Sequence, residues 1–413
     1  MFYEFPTSVT LDEVRSIVKE HNENLGVTAF IEADRGDHVI FNYLLSFDGL
    51  FPQPETKNPA IDRKYAVLRE LRGLIMCPTT GKVISRRFHK FFNVNEKSFT
   101  QAHLVDWTKP HVVLEKLDGS MITPIMSGGA LRWGTKMGLT DVAMQAEQFT
   151  LIRPQYAAFA TDMMDKGLTP IFEWTSRQQR IVIDYPEDDL VLTAIRDNHT
   201  GAYYKLSALQ SLGDRYGITV VKALAEGVND IKAFLEGVRH LKDAEGYVIR
   251  FDNGHMLKVK AEEYCRIHST QDILRFEKDV WSLIVNEKMD DVLPFMIERD
   301  RSRVRNFVAE FDTRISLKSM ALYQTVSKLS EGTYGQKKDF ALRVNADKDL
   351  LPIRGMLFSI YDGKNAGDVL RAHIAKNVST TTKLESVRWL LGDLYWRDFY
   401  ADAVAEDDTS TDE

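Results

Sequence analysis

The sequence predicts an α+β domain built mainly on antiparallel sheet, followed by an all-α C-terminal domain. Two observations predict it. Between residues 27 and 260, short strand-like runs are punctuated by turns of hairpin length, with a few helical stretches among them. Beyond Ala261, apolar residues recur at three- and four-residue spacing and strand signals fade.

The first element opens at Thr10-Leu11-Asp12-Glu13, a capping box with Thr10 at N-cap and Glu13 at N3, and predicts a short helix to about His21. Residues 27–44 read as two strands around the turn Asp34-Arg35-Gly36-Asp37. A second hairpin pairs 73–76 with 82–86 across Pro78-Thr79-Thr80-Gly81. Strands recur near 111–115, 120–126, 131–135, 170–174, 190–195 and 247–251, and helices at 142–151 and beyond, 208–216 and 229–241. The tight turn Asp252-Asn253-Gly254 leads into a last strand, 256–260. Segments 273–286, 290–312, 315–330 and 384–396 then carry helical periodicity. The expected domains are 1–263, a helical 264–400, and an acidic, disordered tail at 401–413.

Bulk properties narrow the class. The chain has 413 residues, 44% hydrophobic and 27% charged, as expected of two or three globular domains. No apolar run approaches the roughly 18–20 residues that span a bilayer, so no membrane partner is expected. The start lacks the basic and apolar regions of a signal peptide. Cys77 and Cys265 have no paired spacing, which favours buried thiols in a reducing, cytoplasmic compartment. Net charge is −7, but Asp402, Glu406, Asp407, Asp408, Asp412 and Glu413 account for six of those charges. The rest is near neutral, and only a local basic patch can argue for nucleic acid.

The chemistry centres on Leu114-Glu115-Lys116-Leu117-Asp118-Gly119-Ser120. A lysine that attacks a nucleotide phosphate must be unprotonated as it reacts, whereas a free lysine keeps its proton to about pH 10.4. A glycine beside it lets backbone approach ribose and phosphate. By itself the tetrad is weak evidence, and a surface lysine before an Asp-Gly turn is the better explanation of it. The ordered company of other segments decides. Lys116-Leu117-Asp118-Gly119 resembles motif I of the covalent nucleotidyltransferases, the DNA ligases, RNA ligases and mRNA capping enzymes. Phe172-Glu173-Trp174 resembles motif III, residues 190–204 motif IIIa, Glu245-Gly246-Tyr247-Val248 motif IV and Leu257-Lys258-Val259-Lys260 motif V. The flanks Glu70-Leu71-Arg72-Gly73, Ser85-Arg86-Arg87-Phe88-His89-Lys90-Phe91-Phe92-Asn93 and Trp133-Gly134-Thr135-Lys136 are most similar to the phage RNA ligase 1 family. The resemblance covers residues 70–260.

That resemblance implies a nucleotidyltransferase (ATP-grasp-like ligase) domain of antiparallel sheets with flanking helices. It implies ATP as cofactor with Mg²⁺, Mn²⁺ substituting, and Lys116 as the nucleophile that becomes adenylylated. Lys258 and Lys260 alternate along one strand and so share a face; by resemblance they contact the α-phosphate, and a solvated strand face is the bland alternative. Glu115 and Gly119 belong to the nucleotide site, as do Arg72, Lys90 and Lys136, the last meeting the β- and γ-phosphates. Glu173 is implied near ribose and metal and Glu245 near metal; the two exchange roles easily, and a buried ion pair is the alternative for either. Val248 and Phe92 would cover the two faces of adenine, or pack in the core. Alternation along 86–92 puts Arg87, His89 and Phe91 on one face and Phe88, Lys90 and Phe92 on the other, suiting single-stranded nucleic acid or nucleotide binding. The cluster Arg299, Arg301, Arg303 and Arg305 is interspersed with Glu298 and Asp300 and reads as a solvated, ion-paired face.

The implied substrate is single-stranded or broken RNA, such as a tRNA cleaved in its anticodon loop. The 413 residues contain no G-x-x-x-x-G-K-[ST] loop, so a separate end-healing kinase/phosphatase is expected. The implied location is the cytoplasm, the host's for a phage gene. Two other readings compete: a DNA ligase or guanylyltransferase, or a non-catalytic nucleotide- or RNA-binding relative. The helical rather than barrel-forming sequence after motif V counts against the first, and the intact motifs count against the second.

Overall fold

The computed structural model describes residues 2–45, 47, 49–177, 181–296, 298–331 and 336–397. The tail expected to be disordered, 401–413, lies outside the described residues. The chain divides into two compact units, Met1–Cys265 and Arg266–Glu413.

The first unit opens with α1 (Leu11–Leu25), capped by Thr10, whose Oγ1 accepts from the Glu13 N–H at 3.3 Å. The reciprocal half of the expected box is absent, because the Glu13 carboxylate accepts instead from Arg63 Nε at 2.6 Å. A three-dimensional ion pair displaces the local one. Strands β1 (Phe30–Asp34) and β2 (Val39–Tyr43) form the first hairpin. Helix α2 (Pro59–Glu70) was not expected. Its signals were nonetheless present: Asn58 caps the N–H groups of Ala60 and Ile61, and Pro59 occupies the first helical position, where its missing donor costs nothing. With β3 (Leu74–Met76) and β4 (Val83–Ser85), β1 and β2 form a four-stranded antiparallel sheet in the order 1-2-3-4.

Two further sheets carry the rest of the unit. Their strands are β5 (Phe92–Asn93), β6 (His111–Glu115), β7 (Ser120–Ser127), β8 (Ala130–Gly134), β9 (Leu168–Thr175), β10 (Asp189–Asp197), β11 (Ala223–Glu226), β12 (Gly246–Phe251) and β13 (Met256–Lys260). One sheet runs β10-β9-β7-β8 and the other β11-β6-β12-β13-β5, antiparallel except for the pair β13–β5. Strands β5 and β11 are short and were not anticipated. Helices α3 (Asp141–Ile152), α4 (Gln155–Asp165) and α5 (Leu206–Tyr216) cover the first of these sheets, and α6 (Ile231–Arg239) packs on the second. Ile122, Phe172 and Leu192 point into the helical core with Phe159 and Tyr156. The period of two then turns Met121 and Glu173 to the opposite face, where the cavity described below lies.

Sequence neighbours β6 and β7 belong to different sheets. The link between them is Lys116-Leu117-Asp118-Gly119.

The second unit is helical among its described residues. Helix α7 (Glu262–Leu274) leads into α8 (Glu277–Val285), α9 (Met289–Val292), α10 (Glu298–Ser330), α11 (Lys337–Ala346), α12 (Arg354–Tyr361), α13 (Ala366–Ala375) and α14 (Thr381–Arg388). Trp281, Val304, Phe311, Phe340, Leu357, Leu370 and Leu384 form its core. The segments expected at 290–312 and 315–330 are one helix from 298, of 33 residues and about 50 Å. Nothing breaks it at 313–314, where Arg314 pairs with Glu310 one turn back, whereas Pro294 separates α9 from it. Two arginines of its cluster are ion-paired, Arg301 with Glu298, and Arg303 with Asp300 and over the ring of Trp396, while Arg305 is exposed.

The run 86–92 departs most from expectation. Arg86 and Arg87 are about 1% exposed, and the segment is irregular, so strand alternation does not hold. Glu70, at the end of α2, accepts from Arg86 Nε at 3.0 Å and from Arg196 Nη1 and Nη2 at 2.7 and 2.9 Å. Arg87 donates instead to Thr123 Oγ1 and the Gly73 carbonyl. These arginines tie the first sheet to its neighbours and cannot form a surface track for RNA.

Burial alone would raise the pKa of Glu70, but Arg196 and Arg86 outweigh it and hold the carboxyl below its ordinary value. A group depressed in the folded state stabilises above its unfolded pKa and loses that contribution as pH falls. Glu70→Ala, which strands two buried guanidiniums, is expected to destabilise the first unit by about 3–5 kcal/mol in denaturant unfolding. The wild-type advantage over this variant should shrink as pH drops below the carboxylate range.

Candidate active site

The site grows from the β6–β7 link. Lys116 extends the β6–β12 ladder by one bond, its N–H donating to the Gly246 carbonyl at 3.0 Å. The chain then turns into the next sheet at Gly119, where a Cβ would lie 2.3 Å from the Trp174 carbonyl oxygen and 3.1 Å from Glu173 Cγ. Only glycine lets the link cross that close to β9. Gly246 is similarly confined: φ is +137° and a Cβ would sit 2.0 Å from the Val259 carbonyl oxygen.

Asp118 locks the link. It is buried, and its Oδ2 accepts from the Val182 and Ile183 N–H groups, both at 2.7 Å, while Oδ1 accepts from the Tyr264 hydroxyl at 2.7 Å. The Asp118 N–H donates to the Tyr185 hydroxyl at 2.8 Å. Tyr264 also hydrogen-bonds Glu245, and burial followed by these carboxylates pushes its phenol pKa up. Sequence reading assigned no role to Tyr264 or Tyr185. Each is far in sequence from Asp118, and nothing local announces the contact.

Glu245 lies beneath Lys116. It is 4% exposed, and its two oxygens accept separately from Lys116 Nζ at 2.6 Å and Lys260 Nζ at 2.9 Å. Antiparallel pairing builds this arrangement, because Lys260 faces Gly246 and Lys258 faces Val248 across β12–β13.

Above them is a cavity of about 490 Å³. Nine of the expected residues line it: Arg72, Glu115, Lys116, Gly119, Lys136, Glu173, Val248, Lys258 and Lys260. Three do not. Glu245 sits below, committed to its two lysines. Phe92 is 4% exposed in the core of the first sheet, against Phe51 and Phe99, so it is not a stacking surface for a base. Lys90 is turned to the rings of Tyr43, Phe51 and Phe92, at 5.0, 5.2 and 5.5 Å. The aromatic walls of the cavity are Phe88 and Phe91, packed edge to face, with Phe88 stacked on Tyr203. Thr193 and Arg250 also line it and were not singled out from the sequence.

The electrostatics suit a polyanion. Desolvation first, then the positive charges of Lys116, Lys260, Lys90 and Arg72, lower the Lys258 pKa to about 8. Desolvation raises that of Glu173 to about 7, with Lys116 opposing and Glu245 reinforcing the shift. Burial outweighs the nearby charges of Lys116 and Arg72, so the carboxylate form would gain from a further cation. Mg²⁺ needs few protein carboxylates when phosphate oxygens complete its shell, so Glu173 fits a metal held jointly with a nucleotide. Among the described residues no group of three or more His, Cys, Asp or Glu side chains could hold a metal alone.

The sequence profile of the RNA ligase family matches residues 70–266. A putative RNA ligase of Thermovibrio ammonificans is 30% identical over 298 residues, covering 69% of this chain and 75% of that protein. The chain belongs to the phage RNA ligase 1 family. It is an ATP-dependent RNA ligase by that membership. Two viral relatives are matched over half their length or less. A putative bifunctional polynucleotide kinase/RNA ligase of Autographa californica nuclear polyhedrosis virus is 29% identical, over 56% of this chain and 35% of that protein. RNA ligase 1 of bacteriophage TS2126 is 27% identical, over 46% of this chain and 50% of that protein.

The ligase cavity should bind pyrophosphate best while Lys258 is protonated. Its pKa is depressed, so affinity is expected to fall as pH rises through about 8. Lys258→Arg, with a charge that does not titrate there, should flatten the profile in calorimetric titrations. An unchanged slope would assign the titration to another group.

Proposed function

We propose that this RNA ligase seals broken RNA by way of a lysyl–AMP on Lys116, in the three-step chemistry of covalent nucleotidyltransferases. The observation that carries the reading is convergence: Lys116, at the link between two sheets, opens into the same cavity as Lys258, Lys260, Arg72, Lys136 and Glu173. Lys116 Nζ attacks the α-phosphate of ATP and pyrophosphate leaves. AMP then passes to an RNA 5′-phosphate, and a 3′-hydroxyl attacks that activated end, releasing AMP. Each step builds negative charge on phosphoryl oxygens, and preorganised cations are its main source of stabilisation.

Glu245 holds Lys116 and Lys260 in register at the cavity floor, and Lys258 and Lys260 face the α-phosphate. Arg72 and Lys136 stand where the outer phosphates extend. Val248 and the walls Phe88 and Phe91 supply apolar surface for the base. Mg²⁺, held by Glu173 and phosphate oxygens, would neutralise charge that builds on the leaving group.

For the substrate, RNA with 5′-phosphate and 3′-hydroxyl ends is preferred over nicked DNA, and a tRNA cut in its anticodon loop is the specific proposal. The helices that follow β13, in place of a small barrel, support this over a DNA ligase or capping enzyme. The baculovirus relative is named as both kinase and ligase, which supports a role in repair, with end healing by a separate kinase/phosphatase. No described helix is long and apolar enough to cross a membrane, and the two free cysteines fit action in the cytoplasm.

Incubation with α-labelled ATP and Mg²⁺ is expected to leave an acid-labile adduct on the protein that Lys116→Ala abolishes. Labelling of the variant at another lysine would overturn the mechanism. Sealing of nicked DNA but not of single-stranded RNA or a cleaved tRNA would overturn the substrate and leave the chemistry standing.

A further inference from the structure

Arg250 is a buried cation on the wall of the nucleotide cavity with little to hold it. It is 4% exposed, and it forms no ion pair among the described residues. Its one side-chain hydrogen bond among the described residues is long, from Nη1 to the Thr193 carbonyl at 3.5 Å. Its Nη2 is buried with no hydrogen-bond partner. Such a group costs stability unless something else uses it.

Its position says what could. On β12, Gly246, Val248 and Arg250 point to one face at successive two-residue steps. Gly246 adjoins Lys116 and pairs with Lys260; Val248 pairs with Lys258 and Leu114; Arg250 pairs with Met256 and Val112. From the lysine cluster to Arg250 the strand advances about 13 Å, with Val248 between. A nucleotide with its α-phosphate at Lys116 and its base over Val248 therefore runs along β12 toward Arg250. The edge of the base that reaches it is the one remote from the ribose. The register shift of β10 between Leu192 and Ala194 sets Thr193 apart from the ladder, and its carbonyl meets the guanidinium.

We propose that Arg250 reads the base: its guanidinium donates a hydrogen bond to unprotonated ring nitrogen N1 of adenine, on the edge farthest from the ribose. This rests on the placement of ATP under the proposed function. Guanine carries a proton at that nitrogen and opposes a donor there with a donor, so the contact favours adenine. The long bond to Thr193 leaves the guanidinium free to rotate toward the base.

The test compares three nucleotides by the rate of lysyl–AMP formation: ATP, 1-deaza-ATP, in which C–H replaces N1, and 7-deaza-ATP. Wild-type protein is expected to lose about tenfold or more in kcat/KM with 1-deaza-ATP, mostly through KM, and to keep its rate with 7-deaza-ATP. Arg250→Met, which keeps an apolar stem, should lose as much with ATP and show no further loss with 1-deaza-ATP. Arg250→Lys should retain part of the discrimination. Equal use of ATP and 1-deaza-ATP by wild-type protein overturns the assignment whatever the variants do, and so does an undiminished 1-deaza penalty in Arg250→Met. Absence of any Lys116 adduct from ATP in wild-type protein would instead overturn the placement of the nucleotide, and Arg250's role with it.

Discussion

Glu245 is the charge on which the proposed active site depends. A carboxylate with almost no exposure is costly unless its oxygens are met by partners. Here each oxygen is met by a lysine of different origin, Lys116 from the end of β6 and Lys260 from the end of β13. Because β12 lies between those strands, satisfying the carboxylate sets all three in register. Burial first, and then the like charges that the same arrangement crowds together, lower the proton affinity of Lys258. Cations assembled before substrate arrives need no reorganisation when charge develops in the reaction.

The second constraint is steric. A chain that passes from one sheet to another in four residues must come close to backbone it does not pair with, and Gly119 permits that approach. Asp118 then fastens the link by four hydrogen bonds to Tyr185, Tyr264 and the backbone of Val182 and Ile183. The motif thus divides its labour: a lysine presented to the cavity, aspartate for anchorage, glycine for clearance.

The segment 86–92 shows how composition can mislead. Its density of arginine and aromatic residues suggested a patch for single-stranded nucleic acid or a nucleotide. Three-dimensional packing put Arg86 and Arg87 inside, where Glu70, Thr123 and backbone carbonyls receive their donors. Phe88 and Phe91 face the cavity, while Phe92, expected there, supports the sheet behind it. Period-two reasoning needs a regular strand, and this segment is not one.

Local rules made much of the chain legible. Alternation and turn chemistry located most strands of the first unit, and helical periodicity marked the second unit, because those signals lie within a few residues. Motif order named Lys116, Glu173, Glu245, Lys258 and Lys260 for the same reason: each is written beside its own strand. The tertiary structure decided what each of these groups faces. Glu245 meets two lysines below the cavity and Glu173 faces into it, a distinction that identical carboxylates on similar strands cannot carry in sequence. The contacts of Tyr264 with Asp118 and of Arg250 with Thr193 likewise join residues 146 and 57 positions apart in the chain. Burial and pairing are properties of that assembly, whereas residue type and spacing belong to the chain alone.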